Sequence, residues 1–159
     1  EYRDAKVRTL LDTAAADADH ELDLRWSGPD GREESAAPAL LVSNNAYRLG
    51  RPIASGTRPR FDSGMLGIAV FDGPAAHSGR PWHQWTAQHF EVDASHPVNA
   101  GVDGEAVVLS PPLRFASRPA VLRVRIAPDH PGASPSATLP ETTRGAVRAL
   151  VAIALGRAA

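Results

Sequence analysis

Two carboxylates beside a glycine are the residues of this chain best suited to chemistry. Asp103 and Glu105 flank Gly104, and a sharp turn there brings both side chains into a small space. Phosphoryl transfer uses such groups either to accept a hydroxyl proton or to hold Mg²⁺. An Asp-Gly pair between apolar strands is also a common tight hairpin turn. The residues alone therefore leave open a catalytic pair and an ordinary turn.

A second polar stretch, rich in glycine and proline, joins two apolar strands. It begins with Asn44 and Asn45 and later contains Arg58, Arg60 and Asp62. Arginine forms planar, bidentate contacts with phosphate, so both arginines are candidates to contact a phosphate group. The alternative is that the arginines are solvated loop residues and that Asp62 hydrogen-bonds nearby backbone N–H groups as a turn residue.

Apolar periodicity predicts the elements that would position these side chains. Leu22, Leu24 and Trp26 share one parity and predict a strand that pairs with the next strand through a long connection. The apolar parity changes near Gln88 or His89, which predicts a bulge there. In full, strands are predicted over residues 20–26, 37–43, 65–71, 84–92 and 113–115, over 120–127, and within 98–109, where Asp103-Gly104 makes the turn.

Helices are predicted near both ends of the chain. Residues 3–17 have helical apolar spacing, and so does the stretch from Val147 to Leu155, with Gly156 as its stop. Short strand spacing between two helices predicts a mainly β fold, an antiparallel β-sandwich with short terminal helices. We expect a single domain over residues 1–159, with its core at about 18–128 and a linker and helix at about 129–157.

Composition excludes several classes of function. A net charge of −1 provides no global basic field for nucleic acid. The absence of cysteine excludes disulfides, thiolate metal sites and cysteine catalysis, and it agrees with a cytoplasmic protein. No stretch approaches the roughly 18 apolar residues of a membrane span. No glycine loop that cradles nucleotide phosphates is present either.

Four segments occur in the order Asn44-Asn45-x-Tyr47, Arg58–Leu66, Val102–Glu105 and Pro119–Val124. Their order and spacing resemble the C-terminal domain of the diacylglycerol kinase catalytic family, the bacterial soluble lipid kinases related to sphingosine kinases. The resemblance covers about residues 37–128. It implies a β-sandwich that accompanies an N-terminal nucleotide-binding domain with a Gly-Gly-Asp-Gly-Thr signature. That signature is absent from the sequence, so we expect the second domain of a longer kinase.

The resemblance implies transfer of the γ-phosphoryl group of ATP to the hydroxyl of a diacylglycerol-like lipid in phospholipid metabolism. ATP would be bound mainly by the nucleotide-binding domain of the same polypeptide, and peripheral contact with a membrane is expected. The implied roles are general base for Asp103 and Glu105, substrate or phosphate binding for Asn44, Asn45, Arg58 and Arg60, and a structural Mg²⁺ site at Asp62 and Met65.

The chain departs from the family at the implied metal site. Many members have an aspartate directly before the glycine, whereas here Ser63 stands between Asp62 and Gly64. Either Asp62 reaches the ion from its shifted position or the metal site is missing. The competing interpretation of the whole chain is a non-catalytic β-sandwich that binds a lipid or a protein partner.

Overall fold

The structure is a computed structural model that describes residues 22–50, 56–72, 82–123, 125, 137, 139–140 and 142–156. Within these ranges the elements are β1 (Leu22–Ser27), β2 (Glu33–Ala37), β3 (Ala39–Asn44), β4 (Leu66–Phe71), β5 (Trp82–Ala87), β6 (His89–Ala94), β7 (Val98–Val102), β8 (Glu105–Leu109), β9 (Leu113–Ala116) and the helix α1 (Thr143–Ala154).

The strands form three antiparallel groups. Sheet A has the order β2-β1-β6-β9, sheet B has the order β3-β4-β5, and β7 pairs with β8 in a separate hairpin. The prediction of a mainly β, antiparallel, sandwich-like fold is confirmed. The predicted helix over residues 3–17 lies outside the described residues.

The core lies between the inner faces of sheets A and B. Its buried side chains come from both sheets: Leu24, Trp26, Ala37, Phe90, Val92 and Ala94 from sheet A, and Leu66, Ile68 and Val70 from sheet B. Two aromatic contacts add to this core, one between the sheets and one within sheet A. The ring of Trp85 on β5 packs edge-on against the ring of Phe90 on β6, with 5.7 Å between the ring centroids. Within sheet A, Phe90 stacks on Phe115 of β9 with the ring centroids 6.4 Å apart. Such ring pairs add to the burial of their apolar area.

The predicted single strand over residues 84–92 is wrong, and so is its bulge. The chain forms two strands there, β5 in sheet B and β6 in sheet A, with Gln88 between them. Trp85 faces the core from one layer and Phe90 faces it from the other. The change of apolar parity therefore marks a corner where the chain passes from one sheet to the other.

The predicted pairing of the strand at residues 20–26 with the strand at residues 37–43 is also wrong. Residues 33–37 form β2, which pairs with β1 across the turn that begins at Gly28. Only then does the chain cross, around Pro38, into β3 of sheet B. The strand β2 was not predicted because its sequence is mostly polar and only Ala37 of its five residues is buried.

The two C-terminal predictions have different outcomes. The predicted strand over residues 120–127 is wrong for the part described, since residues 120–123 and 125 form no strand. The predicted helix is confirmed as α1, which begins after the N-cap Thr142 and stops before Gly156 at a φ of 64°. The Thr142 hydroxyl accepts a hydrogen bond from the Gly145 N–H at 3.1 Å, which satisfies one of the free donors of the first turn.

Among the described residues, no helix has the length and the apolar composition of a transmembrane segment.

Candidate functional site

The Asn44-Asn45 pair lies where β3 leaves sheet B. Asn45 has a φ of 67° and is 2% exposed. Its backbone N–H donates to the Met65 carbonyl at 3.1 Å, across the end of the β3–β4 pair. Asparagine tolerates this left-handed conformation better than most residues do. The chain therefore turns sharply out of the strand at a residue whose side chain stays inside.

The Asn45 side chain joins the two ends of the polar stretch. Its Oδ1 accepts hydrogen bonds from the Ser63 backbone N–H at 2.9 Å and from the Ser63 hydroxyl. Its Nδ2 donates to the Asn44 Oδ1 at 3.1 Å. The Ser63 hydroxyl in turn accepts from the Met65 N–H at 3.2 Å. These bonds fix the residues that precede β4 against the residues that follow β3.

The segment after Asn45 lies on the outer face of sheet B. A Cβ atom added to Gly67 would overlap Ala46, whose backbone N would be 2.7 Å away. Farther along, the Gln84 Nε2 on β5 donates to the Tyr47 carbonyl at 2.6 Å. All six residues of β4 are consequently buried, on both faces of the sheet.

Arg58 is held at the same turn. Its Nη1 donates to the Asn44 carbonyl at 3.2 Å, and its guanidinium lies over the Tyr47 ring, 5.2 Å from the centroid. That distance is typical of a cation–π contact. Arg60 instead points toward Asp62, with 3.3 Å from its Nε to the carboxylate. Arg58 therefore lies beside Asn44, while Arg60 and Asp62 shortly precede Ser63, the hydrogen-bonding partner of Asn45.

Pro119 brings a third segment of the resemblance to this stretch. Its Cγ lies 3.0 Å from the position that a Cβ on Gly64 would occupy, and Gly64 itself has a φ of 68°. A side chain at position 64 would be strained by this φ and would also press on the proline ring. The segment after β9 thus packs against the residues that enter β4.

Asp103 and Gly104 form the two-residue turn of the β7–β8 hairpin. Val102 pairs with Glu105, and φ is positive at both turn residues, 50° for Asp103 and 94° for Gly104. This confirms the predicted tight turn. Both carboxylate residues are exposed. In the described part of the chain, no hydrogen bond or ion pair connects them to Arg60 or Asp62. That Arg58 and Arg60 lie on the same side of the domain as this turn, facing a cleft, stays a prediction.

The implied magnesium pair has a weak donor set. The Asp62 carboxylate is ion-paired with Arg60, which places a positive charge where the cation would bind. The Met65 carbonyl already accepts from the Asn45 N–H. Among the described residues, no group of three or more His, Cys, Asp or Glu could hold a metal ion. As placed, Asp62 and Met65 are poorly suited to Mg²⁺, which requires near-octahedral oxygen ligation.

Sequence reasoning missed the roles of three residues at this site. Ser63 was only a departure from the family pattern, yet it is the hydrogen-bonding partner of Asn45. Tyr47 belonged to the first motif, but nothing in the sequence showed that it lies under Arg58. Pro119 opened the last motif, where a strand was predicted shortly after it. All three residues lie within the four resembling segments, and this membership is the signal by which the sequence could have pointed to them.

Comparisons with family models, with curated proteins and with solved structures found no match to this chain.

Proposed function

We propose that this chain is the substrate-side β-sandwich domain of an ATP-dependent lipid kinase that acts on a diacylglycerol-like hydroxyl. The observation that carries the proposal is the Asn45–Ser63 contact. It joins two of the resembling segments through residues that are 18 positions apart in the sequence. The contact of Pro119 with Gly64 adds a third segment to the same place. Three of the four resembling segments therefore meet at the end of sheet B where β4 begins.

The chemistry assigned to this domain is positioning and proton transfer. A carboxylate of Asp103 or Glu105 would accept the proton of the lipid hydroxyl as its oxygen attacks the γ-phosphorus of ATP and ADP leaves. The hairpin suits this role because its paired strands fix the turn while both carboxylates remain exposed.

Arg60 is the arginine that can exchange its partner most readily for a phosphate. The side chains of Arg60 and Asp62 are 71% and 70% exposed. Exposed ion pairs of this kind contribute only about 0–1 kcal/mol, so a doubly charged phosphate can displace the carboxylate. Arg58 is better placed to hold the Asn44 turn, since it contacts both the Asn44 carbonyl and the Tyr47 ring.

The test begins with the coding sequence upstream of Glu1. An in-frame Gly-Gly-Asp-Gly-Thr motif is expected there, and the longer polypeptide should phosphorylate diacylglycerol with ATP. Residues 1–159 alone should have no kinase activity, because they contain no phosphate-cradling loop. Two results would overturn the proposal: a longer polypeptide with the motif but without lipid kinase activity, or no such motif.

A non-catalytic binding module is the second candidate, and α1 favours it. The large apolar side chains of α1 are half or more exposed, with Leu150 at 65% and Ile153 at 61%. Only small residues such as Ala149 are half-buried on the helix. Exposed apolar surface of this kind often marks an interaction site. The absence of an upstream nucleotide motif would support this function over the kinase.

A further inference from the structure

The helix α1 is apolar on two opposite faces. Its half-buried residues are all small and share one face: Gly145, Ala146, Ala149 and Ala152. The opposite, outer face carries Val147, Leu150 and Val151, which are 56%, 65% and 51% exposed. Arg144 and Arg148 are the only charged residues of the helix. Because a helix with apolar residues all round is ordinarily buried, we expect another surface to cover this outer face.

The sequence of residues 3–17, which lie outside the described residues, repeats the pattern of the outer face. The predicted helix there has apolar residues at positions i, i+3, i+4 and i+7, namely Val7, Leu10, Leu11 and Ala14. The outer face of α1 has the same spacing and similar side chains, namely Val147, Leu150, Val151 and Ala154. In an antiparallel pair, Ala14 comes opposite Val147. In the same register Val7 comes opposite Ala154, so that a large side chain meets a small one at each end.

The charges of the two segments fit the same antiparallel register. It sets Asp17 opposite Arg144. Since α1 has no acidic residue in its first turn, Asp17 compensates both the arginine and the positive end of the helix dipole. At the other end Lys6 comes beside the C-terminus of α1, which has no basic residue in its last turn. A cation is favourable at that position.

Other arrangements of these helices bring like charges together. Parallel packing of the same two stripes would set Arg8 opposite Arg148. Two copies of α1, packed antiparallel through their outer faces, would set Arg144 opposite Arg157 of the second copy. Charge complementarity therefore favours residues 3–17, in the antiparallel direction, over a second copy of the chain.

The start of β1 and the entry to α1 lie toward the same end of the sandwich. β1 begins where β2 ends, just before the chain crosses into β3. Trp82 lies at this end of sheet B, and its ring packs on Gly50. Arg48, two residues before Gly50, donates from its Nη1 to the Leu139 carbonyl at 3.5 Å. The four residues between the predicted helix and β1 span up to roughly 14 Å, a link that allows this helix to lie along α1.

We propose that residues 3–17 form a helix that packs antiparallel on the outer face of α1. Each segment supplies what the other lacks. An isolated helix of this length is marginal in water, and α1 alone leaves large apolar side chains exposed. The inference does not rest on the lipid kinase proposal. It does remove the observation that favours a binding module, because the outer face of α1 is then covered from within the chain.

Paired cysteines test the packing, because the chain has no cysteine of its own. Ala14→Cys with Val147→Cys brings two thiols opposite each other in the antiparallel register. Ala14→Cys with Ala154→Cys is the matched control, since these positions meet only in parallel packing. Under mild oxidation of the whole 159-residue chain, the first pair should form a disulfide within one chain roughly tenfold faster than the control. Loss of free thiols and mobility on non-reducing gels measure the rate.

Exchange of the two charges tests the register independently. Asp17→Arg should lower the Tm by roughly 2 °C, because it sets like charges together at the start of α1. Addition of Arg144→Asp should restore the Tm. Asp4→Arg is the control, since Asp4 comes opposite Arg144 only in parallel packing. Its effect on the Tm should not be restored by Arg144→Asp.

Three results would overturn the proposal: equal oxidation rates for the two cysteine pairs, disulfides between chains instead of within one chain, or an Asp17→Arg defect that Arg144→Asp does not restore. Disulfides between chains would assign the outer face of α1 to a second copy. The charge variants decide the question by themselves if a cysteine variant does not fold. None of these measurements depends on turnover, so their failure and a failure of the lipid kinase proposal are distinguishable.

Discussion

At the scale of single residues, Asn45 meets two demands that few side chains meet together. Its backbone has a φ of 67° at a buried position, and its amide bonds to Asn44 on one side and to Ser63 on the other. Alanine would satisfy neither demand, whereas glycine would satisfy only the first. Removing the amide also removes its hydrogen bonds with Ser63 and Asn44, each of which contributes about 0.5–1.5 kcal/mol to stability.

Asn45→Ala should therefore lower the free energy of unfolding more than Asn45→Gly does. The difference between the two variants should be about 1–2 kcal/mol, the cost of a left-handed conformation for a residue with a Cβ. Urea denaturation measures both values. Asn99→Ala is the matched control, because Asn99 is exposed on β7, outside this network, and should change stability much less. Equal stability of Asn45→Ala and the unmodified chain would show that the network contributes nothing.

At the scale of elements, the close approach of residues 45–47 to β4 is possible because Gly67 has no side chain. The Ala46 backbone N would lie 2.7 Å from an added Cβ, and backbone cannot move aside as a flexible side chain can. This approach covers the outer face of sheet B and holds the Asn44 turn and Arg58 beside the sheet end. One glycine in a buried strand thereby positions the candidate site.

Gly67→Ala should push the Asn45–Tyr47 segment off sheet B and lower the free energy of unfolding by about 1–3 kcal/mol, as overpacking does. Gly101→Ala is the control in another strand, where an added Cβ meets nothing within 4 Å. It should leave stability near the wild-type value. Thermal or urea unfolding of both variants decides the point. A Gly67→Ala chain as stable as Gly101→Ala would contradict the close packing.

The sequence predicted strands well where one face is apolar and poorly where the chain changes layers. The β7–β8 hairpin and α1 were predictable because their turn and capping residues are local signals. The corner at Gln88 was not, because a change of parity is shared by a bulge and by a passage between sheets. The strand β2 was missed because four of its five residues are not buried.

The candidate site was predictable only as a set of segments. Sequence order suggested that Asn45, Arg58 and Asp62 act together. In the structure Arg58 contacts the carbonyl of the neighbouring Asn44, and Asp62 directly precedes the hydrogen-bonding partner of Asn45. Which atoms meet could not be derived, since the Asn45–Ser63 contact depends on how β3 and β4 pair. The placement of the Asp103 turn relative to Arg60 depends on packing between the hairpin and the sandwich, for which the sequence holds no local signal.

At the scale of the whole molecule, the outer face of sheet A is a charged, solvated surface. Arg25 on β1 bonds to Asp93 on β6 at 3.1 Å and to Ser95 at 3.2 Å. The hydrogen bond from Arg25 lowers the pKa of Asp93 below its ordinary 3.8, and the hydrogen bonds from Ser95 lower the pKa of Asp23. These contacts connect two neighbouring strands on the side opposite the core.

Arg25→Gln should lower stability at neutral pH but much less in acid. Because the folded pKa of Asp93 is lowered, its contribution is present above the ordinary value of 3.8 and is lost as the pH falls through the folded pKa. Unfolding free energies measured from pH 7 downward should therefore converge for the variant and the unmodified chain. Arg123→Gln removes the same charge without an ion pair and should show no such convergence. A pH-independent difference for Arg25→Gln would reject the coupling to Asp93.

The most direct test of the lipid kinase proposal is the turnover of the double variant Asp103→Asn with Glu105→Gln. The variant is made in the longer polypeptide that the proposal expects, in which a nucleotide-binding domain precedes this one. Both residues are exposed at the turn between β7 and β8, so the substitutions should leave thermal unfolding unchanged. Turnover of diacylglycerol with ATP should fall by roughly 100-fold or more, the scale of a lost general base. Turnover at the wild-type rate in a folded double variant would show that Asp103-Gly104-Glu105 is only a hairpin turn and would contradict the catalytic assignment.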